Sequence, residues 1–308
     1  MNEARLSGLF LKVKMKYFLL IIATLCFSSS VLATNVKYSF ELRTQKSYCY
    51  ALINGVKISD SNTIGGTISS GYDISTILQN GKNTMTIIFT GMDDSDRKKI
   101  EQDSYCTLLI KEKRKDDILN YVSLVGDSLN GLASGKNSPH YDGLGQAGKV
   151  TEGYWERMNF AYEVTRTFTV SGVNEWSWTK GSKISDSEKN RNVLYKKYTN
   201  IYKKLKDNDE TSLIEIYRPA LLESANNDDA TVDGEWKSLG ISKMLDDGYK
   251  PRLDYIDNYK IVTYADGKIF RLENKFGSSP LKMEKKGEKT RTLNPYFSYV
   301  DGEIIVAL

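Results

Sequence analysis

Three side chains near the middle of the chain are of the types that nucleophilic catalysis uses: Ser128, His140 and Asp142. A serine hydroxyl attacks a carbonyl when an imidazole takes its proton and a carboxylate orients that imidazole. His140 is the only histidine in the 308-residue chain, so any such mechanism must use it. It follows Ser128 by twelve residues, in Asn137-Ser138-Pro139-His140-Tyr141. A local dyad or triad would therefore have to form within one short stretch.

Ser128 stands in Gly126-Asp127-Ser128-Leu129, after the apolar lead-in Tyr121–Val125. This string resembles the serine esterases of the Gly-Asp-Ser-Leu type. The resemblance implies an α/β sheet, an oxyanion-hole Gly-x-Asn-Asp downstream, and a late Asp-x-x-His. Here no Gly-x-Asn-Asp follows, and Asn137 occupies the place three residues before His140. Without assembled partners, the expectation is that the chain is not an enzyme. Gly126–Leu129 then reads as a turn in which Asp127 bonds its own backbone.

Metal chemistry finds little support. Asp93, Asp94 and Asp96 crowd one loop, but the loop lacks the glycine and distal glutamate of a calcium-binding EF-hand, and Lys98 and Lys99 follow at once. One histidine leaves too few ligands for zinc. No metal and no cofactor are expected. Binding is better served, because the chain holds 20 Tyr and 4 Trp. Trp176 and Trp178, two residues apart, would share a face if extended and could stack a sugar; the alternative is a core or inter-domain seam. Tyr154 and Trp155 are a second candidate pair.

The elements that must carry these residues begin after a targeting segment. Lys12, Lys14 and Lys16 precede an apolar run from Tyr17 to Phe27 and then Val31-Leu32-Ala33. This pattern reads as a signal peptide over 1–33, cleaved after Ala33, with Met15 as an alternative start. The expected product is periplasmic or secreted, with no membrane span. Removing Arg5, Lys12, Lys14, Lys16 and Glu3 takes the formal charge from +4 to +1. A nearly neutral chain argues against a nucleic-acid partner. Cys49 and Cys106 survive cleavage, and two thiols in an oxidising compartment are expected to pair. The alternative is two buried free cysteines.

Strict alternation of Val36, Tyr38, Phe40 and Leu42 with polar residues marks a half-buried strand. Asn54-Gly55 is a hairpin signal, and short strands continue through Lys111. Asn54-Gly55, Tyr72-Asp73-Ile74-Ser75, Asn80-Gly81, Asn83 and Thr84–Ile87 resemble the accessory jelly-roll (galactose-binding-like) domains of exported glycosidases. That resemblance implies a β-sandwich over 34–183 and no particular sugar. A Gly- and Ser-rich stretch at about 112–153 reads as a long loop. Strand alternation returns at Phe160–Val170.

Residues 184–308 read differently. Ser185-x-x-Glu188 matches a capping box, and Leu194, Tyr198, Ile201 and Leu205 recur at helical spacing. A second helix from about Glu210 is expected to break at Pro219. Asp266-Gly267, Gly287 and Asp301-Gly302 then mark the turns of a meander. Helices followed by an antiparallel meander resemble the NTF2-like and cystatin-like α+β folds. The expected function is non-enzymatic capture of another protein, with toxin neutralisation as its sharpest form. Carbohydrate or cell-wall binding is the alternative, and a Ser128 esterase the third.

Overall fold

The computed structural model describes residues 36–62, 65–115, 117–141 and 146–308. The expected signal peptide over 1–33, its cleavage point at Ala33, and Asp142 lie outside these residues. The first described half folds as two five-stranded antiparallel sheets. One holds β4 (Ile68–Ser70), β1 (Lys37–Gln45), β6 (Tyr105–Arg114), β7 (Asp117–Leu129) and β8 (Leu132–Ser134), in that order. The other runs β3 (Val56–Asp60), β2 (Tyr48–Ile53), β5 (Gly81–Thr90), β10 (Tyr162–Val170) and β9 (Thr151–Tyr154). Tyr38, Phe40 and Leu42 of β1 and Cys49, Ala51 and Ile53 of β2 fill the space between them, as their period of two requires. Cys49 and Cys106 are bonded, which ties β2 of one sheet to β6 of the other.

The residues that carry the jelly-roll resemblance meet at one end of this sandwich. Asn54 and Gly55 both take positive φ, which a two-residue hairpin between β2 and β3 needs. The Asn54 amide donates to the Ile77 carbonyl (2.8 Å) and to Asn83 Oδ1 (2.9 Å), while its oxygen accepts from Thr84 N. Asp73 accepts from Ser75 N (2.8 Å), an Asx turn that starts the short 3-10 segment Ser75–Ile77. Buried polar side chains here replace the backbone pairing that loops lack.

The stretch at about 112–153 is not a long loop. Residues 117–129 form the longest strand of the sandwich, and β8 returns against it through the hairpin Asn130-Gly131, both at positive φ. Small residues here serve close packing. A Cβ on Gly126 would lie 2.4 Å from Phe89 Cε1, so glycine is what lets β7 approach β5.

Four helices follow: α1 (Glu188–Lys206), α2 (Glu210–Asp228), α3 (Val232–Ser238) and α4 (Ile241–Asp246). The N-cap of α1 is Ser187, whose side chain accepts from Asn190 N; the expected box from Ser185 does not form. Asp186 instead accepts from Ile261 N, pinning the helix start to a strand. Leu194, Tyr198, Ile201 and Leu205 are buried along one stripe. Pro219 does not break α2, which is continuous through it. Leu213, Tyr217, Leu221 and Ala225 form a buried i, i+4 stripe on both sides of the proline, and that shared burial outweighs one lost backbone bond.

The strands beyond form two small antiparallel sheets rather than one meander. β11 (Lys250–Leu253), β14 (Leu281–Glu284) and β15 (Arg291–Thr292) make the first. β12 (Lys260–Tyr264), β13 (Ile269–Glu273), β16 (Phe297–Val300) and β17 (Glu303–Val306) make the second. The turns fall at Asp266-Gly267, Gly287 and Asp301-Gly302. Helix α1 rests on β11 and β13, and α2 on β17. The chain is thus a β-sandwich followed by an α+β region, each with its own core, joined by a third buried cluster of Val56, Trp176, Trp178, Ala265, Ile269, Tyr296 and Ala307. Val36–Leu308 packs as one compact unit.

Candidate binding groove

Strand alternation that sends Cys49 and Ala51 inward sends Tyr48 and Tyr50 out of the second sheet. Beside them, Ile88 and Thr90 of β5 form a floor, in register with Tyr50 and Tyr48. The turn from β9 to β10 folds over this floor and brings Trp155, Met158 and Phe160 to the opposite side. Three backbone bonds fix that turn: Trp155 N to Ala161 O (2.8 Å), Met158 N to Trp155 O (3.1 Å) and Ala161 N to Met158 O (2.9 Å). The result is a groove of about 530 Å³.

Polar groups stand at its ends. The Arg97 guanidinium lies over the Tyr48 ring at 4.8 Å, and Asn62 Nδ2 donates to Tyr50 Oη at 2.8 Å. Glu163 of β10, in register with Ile88, does not line the groove but a neighbouring pocket with Glu156. Burial, and then the neighbouring Glu156, raise its carboxyl above the usual range. Ile88 is 4% exposed despite facing outward, whereas Met158 and Phe160 remain 39% and 38% exposed. Rigid aromatic walls, a methionine and one arginine are the side chains that interfaces use most.

The candidate nucleophile is not assembled. Ser128 lies near the end of β7, on the face of Gly126, and its Oγ donates to the Ile100 carbonyl (3.3 Å). His140 is exposed and forms no hydrogen bond with a described residue. Its segment is held at the edge of β7 instead, where Ser138 Oγ accepts from Val125 N (2.9 Å) and Tyr141 Oη from Ser123 N (3.0 Å). Asp127 accepts from Asn137 Nδ2 rather than from its own backbone.

Trp176 and Trp178 are 2% and 0% exposed and offer no stacking face. Their indole nitrogens donate to the carbonyls of Ser75 and Leu78 (2.9 and 2.8 Å) and of Thr76 (2.8 Å). These tryptophans are the seam between sandwich and α+β region, not a sugar platform. Tyr154 is 46% exposed with Lys98 over its ring, and the half-buried Trp155 lines the groove. Asp93 caps Ser95 and Asp94 pairs with Arg97, and no metal-ligating cluster occurs among the described residues. Composition did not single out Tyr48, Tyr50, Arg97, Met158 or Phe160. The alternation of Tyr48 and Tyr50 around Cys49 was the available signal.

No known family, curated protein or solved structure matches the chain. The Cys49–Cys106 bond is compatible with an oxidising, extracytoplasmic compartment. No described helix is long and apolar enough to cross a membrane.

Proposed function

We propose that this is an exported binding protein without catalytic activity, and that it captures another protein through the groove of Tyr48, Tyr50 and Trp155. In its sharpest form it neutralises a toxin protein that reaches its compartment. The groove carries this reading, because it presents pre-fixed aromatic anchors that lose little entropy on binding. The signal-peptide pattern and the disulfide support export. Ser128 bonds to the Ile100 carbonyl and not to His140, which leaves the esterase reading without support.

Trp155→Ala and Tyr50→Ala should each weaken binding to the product of a toxin gene encoded beside this one by tenfold or more, equivalent to about 1.4 kcal/mol. Titration calorimetry with the purified proteins reads this directly. A carbohydrate reading competes, because Asn62 and Arg97 also suit sugar hydroxyls. Glycan-array binding lost in Trp155→Ala would favour it. Unchanged resistance to toxin-secreting neighbours after gene deletion, with no protein bound, would end the capture reading.

A further inference from the structure

A second cavity, of about 390 Å³, lies where the sandwich meets the α+β region, away from the groove. The sandwich supplies Thr76 and Ile77 from the 3-10 segment, and α2 supplies Ala220, Leu221 and Glu223. Most of the wall is apolar. Two carboxylate side chains, Glu223 and Glu235, also line it, as does the last residue, Leu308, and no lysine, arginine or histidine does so among the described residues.

Each carboxylate is held from one side only. Glu223 Oε1 accepts from Ser177 N (2.6 Å) and Ser177 Oγ (2.5 Å), and Glu235 Oε2 accepts from Ser224 Oγ (2.8 Å). Among the described residues, neither carboxylate has a donor on its second oxygen, and neither residue is ion-paired. Most of the chain's anchored acids contrast with this. Glu41, Glu112, Asp209 and Glu273 each sit beside a lysine or arginine. Two oriented carboxylates beside an apolar wall favour a cation that brings its own apolar surface. Such a ligand gains Coulomb energy in a medium of reduced dielectric and buries hydrocarbon at the same time. An anion would be repelled, and a neutral chain would gain only the second term.

We propose that this cleft binds a small organic cation with an apolar body, its ammonium on Glu223 and Glu235 and its hydrocarbon against Ile77 and Leu221. The volume is near the lower end of small-molecule sites, roughly 300–1,000 Å³, which excludes a large occupant. The ligand would touch both halves of the protein and so stabilise their seam. This site is independent of the groove and of what the groove captures.

The test uses three probes with one tail: octylammonium, octanol and octanoate. Calorimetry and thermal unfolding should show octylammonium binding at least tenfold tighter than octanoate, with octanol between them and the largest Tm rise for the amine. The double variant Glu223→Gln with Glu235→Gln keeps an acceptor oxygen for all three bonds from Ser177 and Ser224. It should bring octylammonium down to the level of octanol. Ala220→Trp should fill the cleft and abolish binding of all three. The glutamine pair is decisive if the tryptophan variant fails to fold. Octanoate binding as tightly as octylammonium, an unchanged preference in the glutamine pair, or no binding of any probe would overturn the proposal.

Discussion

Arg166 on β10 donates its Nη1 to the Ser123 carbonyl on β7 at 2.9 Å, so one side chain joins the two sheets of the sandwich. It is 2% exposed and has no carboxylate partner among the described residues. The Gly148 carbonyl (3.3 Å from Nε) and the Tyr141 ring (5.0 Å from Cζ) complete its surroundings. Burial pushes the guanidinium down from its usual value, yet arginine stays charged and keeps donating.

Replacing Arg166 with methionine should therefore destabilise the protein. The gain from removing a buried cation is opposed by two orphaned carbonyls, each costing about 1–3 kcal/mol. Arg166→Lys should not restore stability, because one ammonium on a flexible stem lacks the fixed fork that reaches both carbonyls. Urea unfolding midpoints measure both effects. A methionine variant as stable as the parent would show that this bridge adds nothing.

Gly126→Ala should cost about 1–3 kcal/mol by overpacking against Phe89, whose Cε1 the new methyl would meet at 2.4 Å. Shortening the ring with Phe89→Leu should recover part of that loss, so the double variant is less destabilised than the sum of the singles. Ser128→Ala should cost no more than about 1.5 kcal/mol, the value of its bond to Ile100. Ester hydrolysis should stay at the level of the blank in both parent and Ser128→Ala.

The Cys49–Cys106 bond closes a loop with a sequence separation of 57. In the chain-entropy account a loop of that length contributes about 4 kcal/mol. Cys49→Ser with Cys106→Ser should lower the unfolding free energy by that order, and reducing agent should lower that of the parent alike. If the double variant matched the oxidised parent, the bond would be dispensable.

Two carboxylates shift in opposite directions and should shape stability against pH differently. Asp73 accepts from Asn227 of α2 across the seam, and burial raises its pKa above 3.8. The folded protein then binds its proton more tightly than the unfolded chain, so stability falls as pH rises from about 3.8 to the raised value. Asp209, capping α2 with Lys204 and Ser212 beside it, is lowered to about 2. Its contribution is full above the ordinary 3.8 and is lost as pH falls through about 2. Asp73→Asn should flatten the first slope and Asp209→Asn the second. Unfolding curves from pH 2 to 7 distinguish them.

Much of the architecture was legible locally. Asn54-Gly55 fixed a hairpin because both residues accept positive φ, and the Leu194–Leu205 stripe fixed a helix face. Asn130-Gly131 carried the same hairpin signal, and the surrounding small residues hid it. In β7 those residues mark close packing against Phe89 rather than a turn. Pro219 misled in the other direction, since a propensity of one residue yields to a buried stripe that extends past it. The capping serine was missed because Ser185 and Ser187 both precede a glutamate-bearing turn, and only the pairing of Asp186 with Ile261 selects between them.

The sequence by itself determined what depends on neighbours in the chain: strand alternation, hairpin turns and helix stripes. It led to an expected pairing of Cys49 with Cys106, which the structure then established. Tertiary structure alone decided which aromatics face solvent. Trp176 and Tyr50 are both large aromatics next to at least one small residue, Ser177 and Ala51, and that local context does not say which is buried. One is buried because the carbonyls of residues 75–78 from a distant segment reach its indole nitrogen. The other is left on a groove because the turn at 155–161 folds over only part of the sheet. The unpaired carboxylates of Glu223 and Glu235 arise the same way, since what lies opposite a charge is set by segments far along the chain.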